Sequence, residues 1–180
     1  MSQAIIRPQA GKQEMFVASQ ADIAIYGGAA GGGKTYGLLL EPLRHVAKRT
    51  FGGVIFRRTY PQITNEGGLW DTSQELYPLI GGQPHASDLE WRFPSGATIR
   101  FAHLQYEKTR LEWQGAQAPF IGWDELTHFT EAQFWYLLSR NRSTCGVRPY
   151  MRGGCNPDPD SWVASLIAWW IDQGTGLAIE

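Results

Sequence analysis

The stretch GGAAGGGKT, residues 27–35, combines five glycines with a lysine and a threonine. From Gly28 on it fits the spacing G-x-x-x-x-G-K-S/T, in which small residues let successive backbone N–H groups converge on phosphate oxygens. An apolar run precedes it and a leucine-rich run follows, so the loop joins a strand to a helix whose N-terminus favours anions. A glycine-rich turn would not need the last two residues. We predict that nucleotide phosphates contact Gly28, Ala29, Ala30, Gly31, Gly32, Gly33, Lys34 and Thr35.

Two adjacent carboxylates follow a second apolar run, residues 118–123. A phosphate-binding loop requires a carboxylate near the Mg²⁺ that accompanies ATP, and Asp124 suits that place, with the Thr35 hydroxyl as the second ligand. Glu125 suits a general base that polarises water for attack on the γ-phosphate. Asp-Glu at a strand end could instead form a solvated turn. The pairing with the loop favours a nucleotide hydrolase with Mg²⁺ as its cofactor.

The composition describes an ordinary globular protein of 180 residues, with 43% hydrophobic and 18% charged residues. The formal charge of −1 provides no global basic field, so any contact with DNA must depend on a local patch or on several subunits. Two cysteines, Cys145 and Cys155, lack metal-ligand spacing and favour a reducing compartment. The sequence shows no apolar run of about 18 residues and no signal peptide, so we predict a cytoplasmic protein with no membrane contact.

Strand-like and helix-like patterns alternate along the chain. The predicted strands, all short apolar runs, are residues 22–26, 54–56, 91–93, 97–101, 118–123 and 151–155. The predicted helices are residues 35–49 with a kink at Pro42, a weaker stretch within 61–82, 131–138, and a last one through Ile171 that Asp160 or Ser161 caps. This order predicts an α/β P-loop NTPase of the RecA-like (ASCE) type, a single domain over residues 1–180. Helices flank a mainly parallel central sheet, to which residues 91–101 add an antiparallel hairpin.

Four segments together resemble the large subunit of tailed-phage terminase. They are GGAAGGGKT, FRRTYPQI at 56–63, FIGWDELTHF at 120–129 and GCNP at 154–157. The resemblance implies an ATP-driven motor that moves double-stranded DNA into the procapsid. Its implied partners are the portal protein, the small terminase subunit and further copies of the chain in a ring, in the host cytoplasm. Full-length relatives also carry a nuclease domain. We expect none in this chain, whose end at Glu180 has no clear stop and suggests truncation.

The resemblance also assigns roles to single residues. Gln13 matches the glutamine that hydrogen-bonds adenine, although a lone glutamine is often a surface residue. Asn156 matches the motif that couples nucleotide state to movement on DNA, although Asn-Pro is also an ordinary turn. An arginine must supply charge to the γ-phosphate, in cis or in trans. Some relatives have it where this chain has Gln114. The remaining candidates are Arg110, Arg57, Arg58, Arg140 and Arg142, of which we favour Arg110 or Arg57.

Two other functions fit parts of the pattern. A RecA-like helicase or recombination ATPase would share the glycine loop and the Asp-Glu pair, but GCNP and FRRTY are not expected in it at these positions. A regulatory module that binds a nucleotide without hydrolysing it is the other alternative. The presence of Glu125 argues against that module.

Overall fold

A seven-stranded sheet forms the centre of the molecule in the computed structural model, which describes residues 6–29, 31–172, 174–175 and 179. The strands are β1 Ile23–Gly27, β2 Gly52–Arg57, β3 Gln83–His85, β4 Glu90–Arg92, β5 Thr98–His103, β6 Phe120–Asp124 and β7 Tyr150–Cys155. Their order in the sheet is β1-β7-β6-β2-β5-β4-β3. The first five in this order are parallel, and β5, β4 and β3 pair antiparallel. The predicted α/β fold with a mainly parallel sheet is confirmed.

The strand order brings the predicted site residues to one edge. Parallel strands have their carboxyl ends at the same edge of a sheet, which is where α/β proteins bind their ligands. Strand β7 lies between β1, which precedes the glycine loop, and β6, which ends in Asp124. In register, Gly27 pairs with Cys155 and Asp124 with Gly154. The loop, the acidic pair and Asn156 therefore converge.

Helices cover both faces of the sheet. They are α1 Lys12–Ala18, α2 Lys34–Leu40, α3 Tyr60–Thr64, α4 Leu69–Leu76, α5 Glu131–Leu138 and α6 Trp162–Ile167. One buried cluster joins side chains of α1, α2 and α4 with Ile55, and the other joins α5 and α6 with Val54 and Phe56. Since neighbouring residues of a strand point to opposite faces, the alternation along β2 puts the two clusters on opposite sides of the sheet. Within the described part of the chain, no helix has the length and apolar character to cross a membrane.

The helix that follows the glycine loop is shorter than predicted. It ends at Leu40 and continues as a 3₁₀ helix over Glu41–His45, so the prediction of one kinked helix over 35–49 was wrong. Pro42 has no N–H to donate to the carbonyl of Leu38, and it sits in the first turn of the 3₁₀ helix, where that loss is tolerated. The buried Tyr77 hydroxyl donates to the Leu39 carbonyl at 3.0 Å and satisfies an acceptor at the helix end.

Other element boundaries also differ from the predictions. The stretch 61–82 divides into α3, α4 and the 3₁₀ helix Tyr77–Ile80. The predicted hairpin is present but has a third strand, β3, that its short polar sequence did not indicate. The helix over 131–138 is confirmed. The last helix is capped by Ser161, whose Oγ accepts the N–H of Ala164 at 3.2 Å, and it ends at Ile167 rather than at Ile171, with a 3₁₀ turn following.

A buried ion pair joins the end of α2 to β7. Arg152 on β7 is 2% exposed, and its Nε lies 3.1 Å from Oε1 of the fully buried Glu41. Burial raises the pKa of Glu41, and the guanidiniums of Arg44 and Arg152 oppose that rise. Arg152 also donates to the carbonyls of Ser19 and Ala21, which precede β1. The pair therefore fixes the glycine-loop helix to the strand that ends at Cys155, next to Asn156.

We expect Glu41→Gln to lower the free energy of unfolding by about 3 kcal/mol, because it leaves the buried guanidinium of Arg152 without a counter-charge. Urea unfolding of the wild type and the variant measures the change. Arg148→Ala is the matched control, since its ion pair with Asp22 is 77% and 57% exposed and should contribute no more than about 1 kcal/mol. Equal losses in the two variants would contradict the role given to the buried pair.

Candidate active site

The glycine loop closes onto α2 at Gly33. This residue has φ of 69°, a left-handed conformation that glycine adopts without strain. A Cβ at this position would lie 2.6 Å from Nε2 of Gln13, so no other residue fits without displacing that side chain. The motif glycine before the lysine is thus required by both conformation and space. The predicted contact residue Ala30 lies outside the described residues.

Lys34 is the first residue of α2 and is only 7% exposed. Its ammonium donates to the carbonyls of Gly28 and Ala29, both at 2.8 Å, and to Oδ1 of Asn156 at 2.9 Å. An ammonium group has three N–H donors, so these acceptors satisfy it fully. Lys34 and Asn156, which the sequence places 122 positions apart, are in direct contact.

Asp124 ends β6 and is buried between two partners. Thr35 Oγ1 donates to Oδ1 at 3.1 Å, and Nη1 of Arg57 lies 3.4 Å from Oδ2. Burial raises the pKa of the Asp124 carboxyl, while the charge of Arg57 and then the hydrogen bond from Thr35 lower it. A hydroxyl and a carboxylate side by side at a phosphate-binding loop are the oxygen ligands that Mg²⁺ takes beside phosphates and water. The chemistry of Thr35 and Asp124 therefore fits a magnesium ion.

Glu125 has a left-handed backbone, with φ of 58° and ψ of 63°. Among the described non-glycine residues, only Leu89 shares a positive φ. Such conformations cost of order 1 kcal/mol and cluster at functional sites. The turn directs the carboxylate toward the end of β7, where the backbone N–H of Asn156 donates to Oε2 at 3.3 Å.

A cavity of roughly 210 Å³ opens beside the acidic pair. Thr35, Arg57, Asp124 and Glu125 form one part of its wall. Helix α3 and the segment after it form the other, through Gln62, Asn65, Glu66, Gly67 and Gly68. No sequence pattern predicted that this second group belongs to the site. A Cβ on Gly68 would lie 2.7–2.9 Å from three backbone carbonyls, so the segment packs too tightly there for any other residue. The FRRTYPQI segment, which contains Gln62 and leads into the other four residues, was the available signal.

Gln13 lies on α1 and is 2% exposed. Its Nε2 donates to the carbonyl of Gly33 at 2.7 Å, and its Oε1 accepts the N–H of Gln9 at 2.6 Å. The side chain therefore contacts the glycine loop itself, and both ends of its amide have partners. Adenine recognition by Gln13 stays a prediction.

The candidate arginines occupy different environments. Arg57, the last residue of β2, lines the cavity. Arg110 lies on the 3₁₀ helix Glu107–Trp113, where it pairs with Glu107 and its Cζ lies 5.9 Å from the ring centre of Tyr136.

The other three arginines bond mainly to backbone carbonyls or neighbouring side chains. Arg58 donates to the Leu104 carbonyl and to Gln133. Arg140 and Arg142 contact Ser139, beyond α5. Of the five candidates, the structure places Arg57 against the predicted metal ligand Asp124, and its role in catalysis stays a prediction.

Solved structures show that the fold is that of viral packaging ATPases. The large terminase of a thermophilic bacteriophage superposes with a TM-score of 0.69 at 17% identity, over 89% of this chain and 42% of its own. That protein has also been solved in complex with ADP and with ATP-γ-S. The HK97 bacteriophage large terminase superposes with a TM-score of 0.68 at 13% identity, over 91% of this chain and 36% of its own.

A shorter protein matches over most of both chains. The N-terminal domain of the DNA packaging ATPase from bacteriophage phi29 gives a TM-score of 0.60 at 14% identity, over 88% of this chain and 85% of its own. The present chain spans less than half the length of the thermophilic-phage and HK97 large terminases. None of the curated protein sequences is similar enough to count as a match.

Residues 25–177 match the family model described as terminase large subunit, T4likevirus-type, N-terminal. The match begins just before the glycine loop and includes the acidic pair, Asn156 and the cavity wall after α3. The chain therefore belongs to the family of N-terminal regions of terminase large subunits.

Proposed function

We propose that this chain is the ATPase motor of a viral terminase large subunit and hydrolyses ATP to move double-stranded DNA into a procapsid. The single observation that carries the proposal is the convergence of Lys34, the Thr35–Asp124 pair and the Glu125–Asn156 contact at one edge of the sheet. Family membership supports the terminase over a helicase or recombination ATPase. We treat residues 1–180 as one domain with this activity.

Nucleotide binding involves an exchange of partners at Lys34. Its ammonium now donates to two loop carbonyls and to Asn156. Phosphate oxygens carry negative charge and form stronger hydrogen bonds with an ammonium than neutral oxygens do. On binding ATP, Lys34 turns to the β- and γ-phosphates and releases Asn156. The backbone N–H groups of the loop hold the remaining phosphate oxygens.

Hydrolysis requires one proton acceptor and one position for water. Thr35 and Asp124 would hold Mg²⁺, which when bound neutralises charge on the β- and γ-phosphates. Glu125 orients a water molecule in the adjoining cavity and accepts a proton from it as the water oxygen bonds to the γ-phosphorus. The bond from that phosphorus to the bridging oxygen breaks, its electron pair stays on ADP, and phosphate is released. Asp124 is 6% exposed, so bulk water screens its charge little.

Asn156 connects the chemical step to movement. Its side chain accepts from Lys34 and its backbone N–H donates to Glu125, so it contacts both the phosphate-binding and the water-activating residue. Departure of the γ-phosphate changes both partners at once. We propose that β7 and the segment after it pass this change on to double-stranded DNA. Gln13 would recognise adenine in the same site.

The wider assembly follows from the family. Terminase membership supports packaging partners in general. We propose a ring of copies that binds the portal protein of the procapsid and the small terminase subunit in the host cytoplasm. The charge of −1 on one chain fits DNA contacts made by several subunits acting together.

We expect Lys34→Ala to abolish both nucleotide binding and hydrolysis, whereas Glu125→Gln binds ATP normally and loses about 10²–10⁴-fold in hydrolysis rate, the usual contribution of a general base. Phosphate release and displacement of a fluorescent nucleotide measure the two properties. Glu112→Gln, which neutralises an exposed carboxylate on the 3₁₀ helix Glu107–Trp113, is the matched control and should behave as wild type. Unchanged turnover in Glu125→Gln would overturn the assignment of the base.

Asn156→Ala should separate hydrolysis from movement. Because the substitution keeps the backbone N–H that contacts Glu125, we expect ATP hydrolysis within about tenfold of wild type and loss of DNA packaging into procapsids. Packaging is measured as DNA protected from nuclease, with hydrolysis followed in parallel. Asn65→Ala removes another amide from the cavity wall and is the comparison variant. Full packaging by Asn156→Ala would show that this side chain does not couple the two processes.

A further inference from the structure

Arg57 has a buried donor without an aligned acceptor. Its side chain is 17% exposed, and its Nη1 is fully buried. Nη1 lies 3.4 Å from Oδ2 of Asp124, within ion-pair range, yet among the described residues it has no hydrogen-bond partner. A buried donor that lacks an acceptor is costly, so the arrangement indicates that Arg57 finds its acceptor in another state of the site.

Two other candidate arginines, Arg58 and Arg110, are held in place. Arg58 donates through Nη1 to the Leu104 carbonyl at 2.8 Å and to Gln133 Oε1 at 2.9 Å. Arg110 is paired with Glu107. Turning either guanidinium would break formed hydrogen bonds, whereas turning that of Arg57 breaks its ion pair with Asp124 and no hydrogen bond of Nη1.

The two oxygens of Asp124 face two different partners. Oδ1 accepts from Thr35 and Oδ2 faces Arg57. The same carboxylate is the proposed metal ligand, and a guanidinium and a divalent cation repel each other when they share one carboxylate. Once Asp124 ligates the metal, Arg57 loses its counter-charge. The cavity that Arg57 lines with Thr35 and Glu125 is the region where the terminal phosphate on the glycine loop would lie.

We infer that Arg57 is a cis-acting contact to the γ-phosphate, held against Asp124 until that carboxylate ligates the metal. This inference rests on the proposed function. It gives the site an internal order: Arg57 reaches the terminal phosphate only after the nucleotide and its metal are both in place. The charge that the glycine loop lacks, since it contains no arginine, is then supplied by strand β2 of the same chain.

The test compares affinities for ADP and for the non-hydrolysable analogue AMP-PNP, with Mg²⁺ and with EDTA. Wild type should prefer AMP-PNP in Mg²⁺. Arg57→Gln should reduce that preference about tenfold, the value of one charge-assisted hydrogen bond, and leave the ADP affinity within about twofold. In EDTA the substitution should not change the preference, because Arg57 then remains at Asp124. The reduction of the AMP-PNP preference by Arg57→Gln in Mg²⁺ should not depend on protein concentration, since the contact is within one chain.

Arg58→Gln is the matched control and should keep the preference, and Arg110→Gln tests the competing candidate. Circular dichroism of Arg57→Gln checks that the variant is folded. A parallel Arg57→Lys variant keeps the charge, so together the two controls distinguish loss of the contact from misfolding. The inference would be overturned if Arg57→Gln lowered the affinities for ADP and AMP-PNP equally, or lowered the preference for AMP-PNP as much in EDTA as in Mg²⁺. It would also be overturned if Arg110→Gln, and not Arg57→Gln, lowered that preference. Each of these results would leave the proposed function intact. Failure of the wild type to bind either nucleotide would overturn both.

Discussion

The buried ammonium group of Lys34 is the constraint on which the site depends. A cation that is 7% exposed has to be surrounded by acceptors, and the structure provides them from two places, the glycine loop and Asn156 beyond β7. The loop can approach Lys34 this closely because its residues are small. The second contact requires β7 to lie next to β1. The strand next to the loop strand therefore leads into the proposed coupling residue, within hydrogen-bond distance of the ammonium.

Helix α2 is joined to β7 and the residue after it at both of its ends. Lys34 begins the helix and contacts Asn156, and Glu41 follows its last residue and pairs with Arg152. Because both links go to the same part of the chain, a displacement of Lys34 cannot be absorbed by a tilt of α2 alone. The hydrogen bond from Thr35 to Asp124 adds β6 to the same unit. In the proposed function, phosphate binding therefore acts on two strands of the sheet, β7 and β6, through one short helix.

Sequence reasoning was most successful where chemistry requires a fixed residue type at a fixed spacing. The glycine loop, Asp124 and Glu125 lie together as predicted because a strand–loop–helix unit and a buried strand with a terminal acid each have few possible conformations. The helix after the loop was predicted too long because its leucines continue the apolar pattern, whereas Pro42 and the Tyr77 hydroxyl together end the α-helix at Leu40. The contact of Tyr77 with Leu39 joins residues 38 positions apart, and no local pattern contains it.

The cavity wall and the choice among the arginines also depend on contacts between residues far apart in the sequence, which local patterns do not predict. The sequence offered five arginines as candidates for the contact to the γ-phosphate, with little to separate them. The structure distinguishes them by the backbone carbonyl, carboxylate or other group that each guanidinium contacts. Arg57 is the last residue of β2 and Arg58 is the first residue beyond it, and their side chains reach different partners, Asp124 and Gln133 on α5. Glu125 differs from both, because its left-handed backbone turns it out of the strand register toward Asn156. The geometry of the site therefore results from residues at and just beyond the ends of β2 and β6, where the alternation of a strand no longer determines the direction of a side chain.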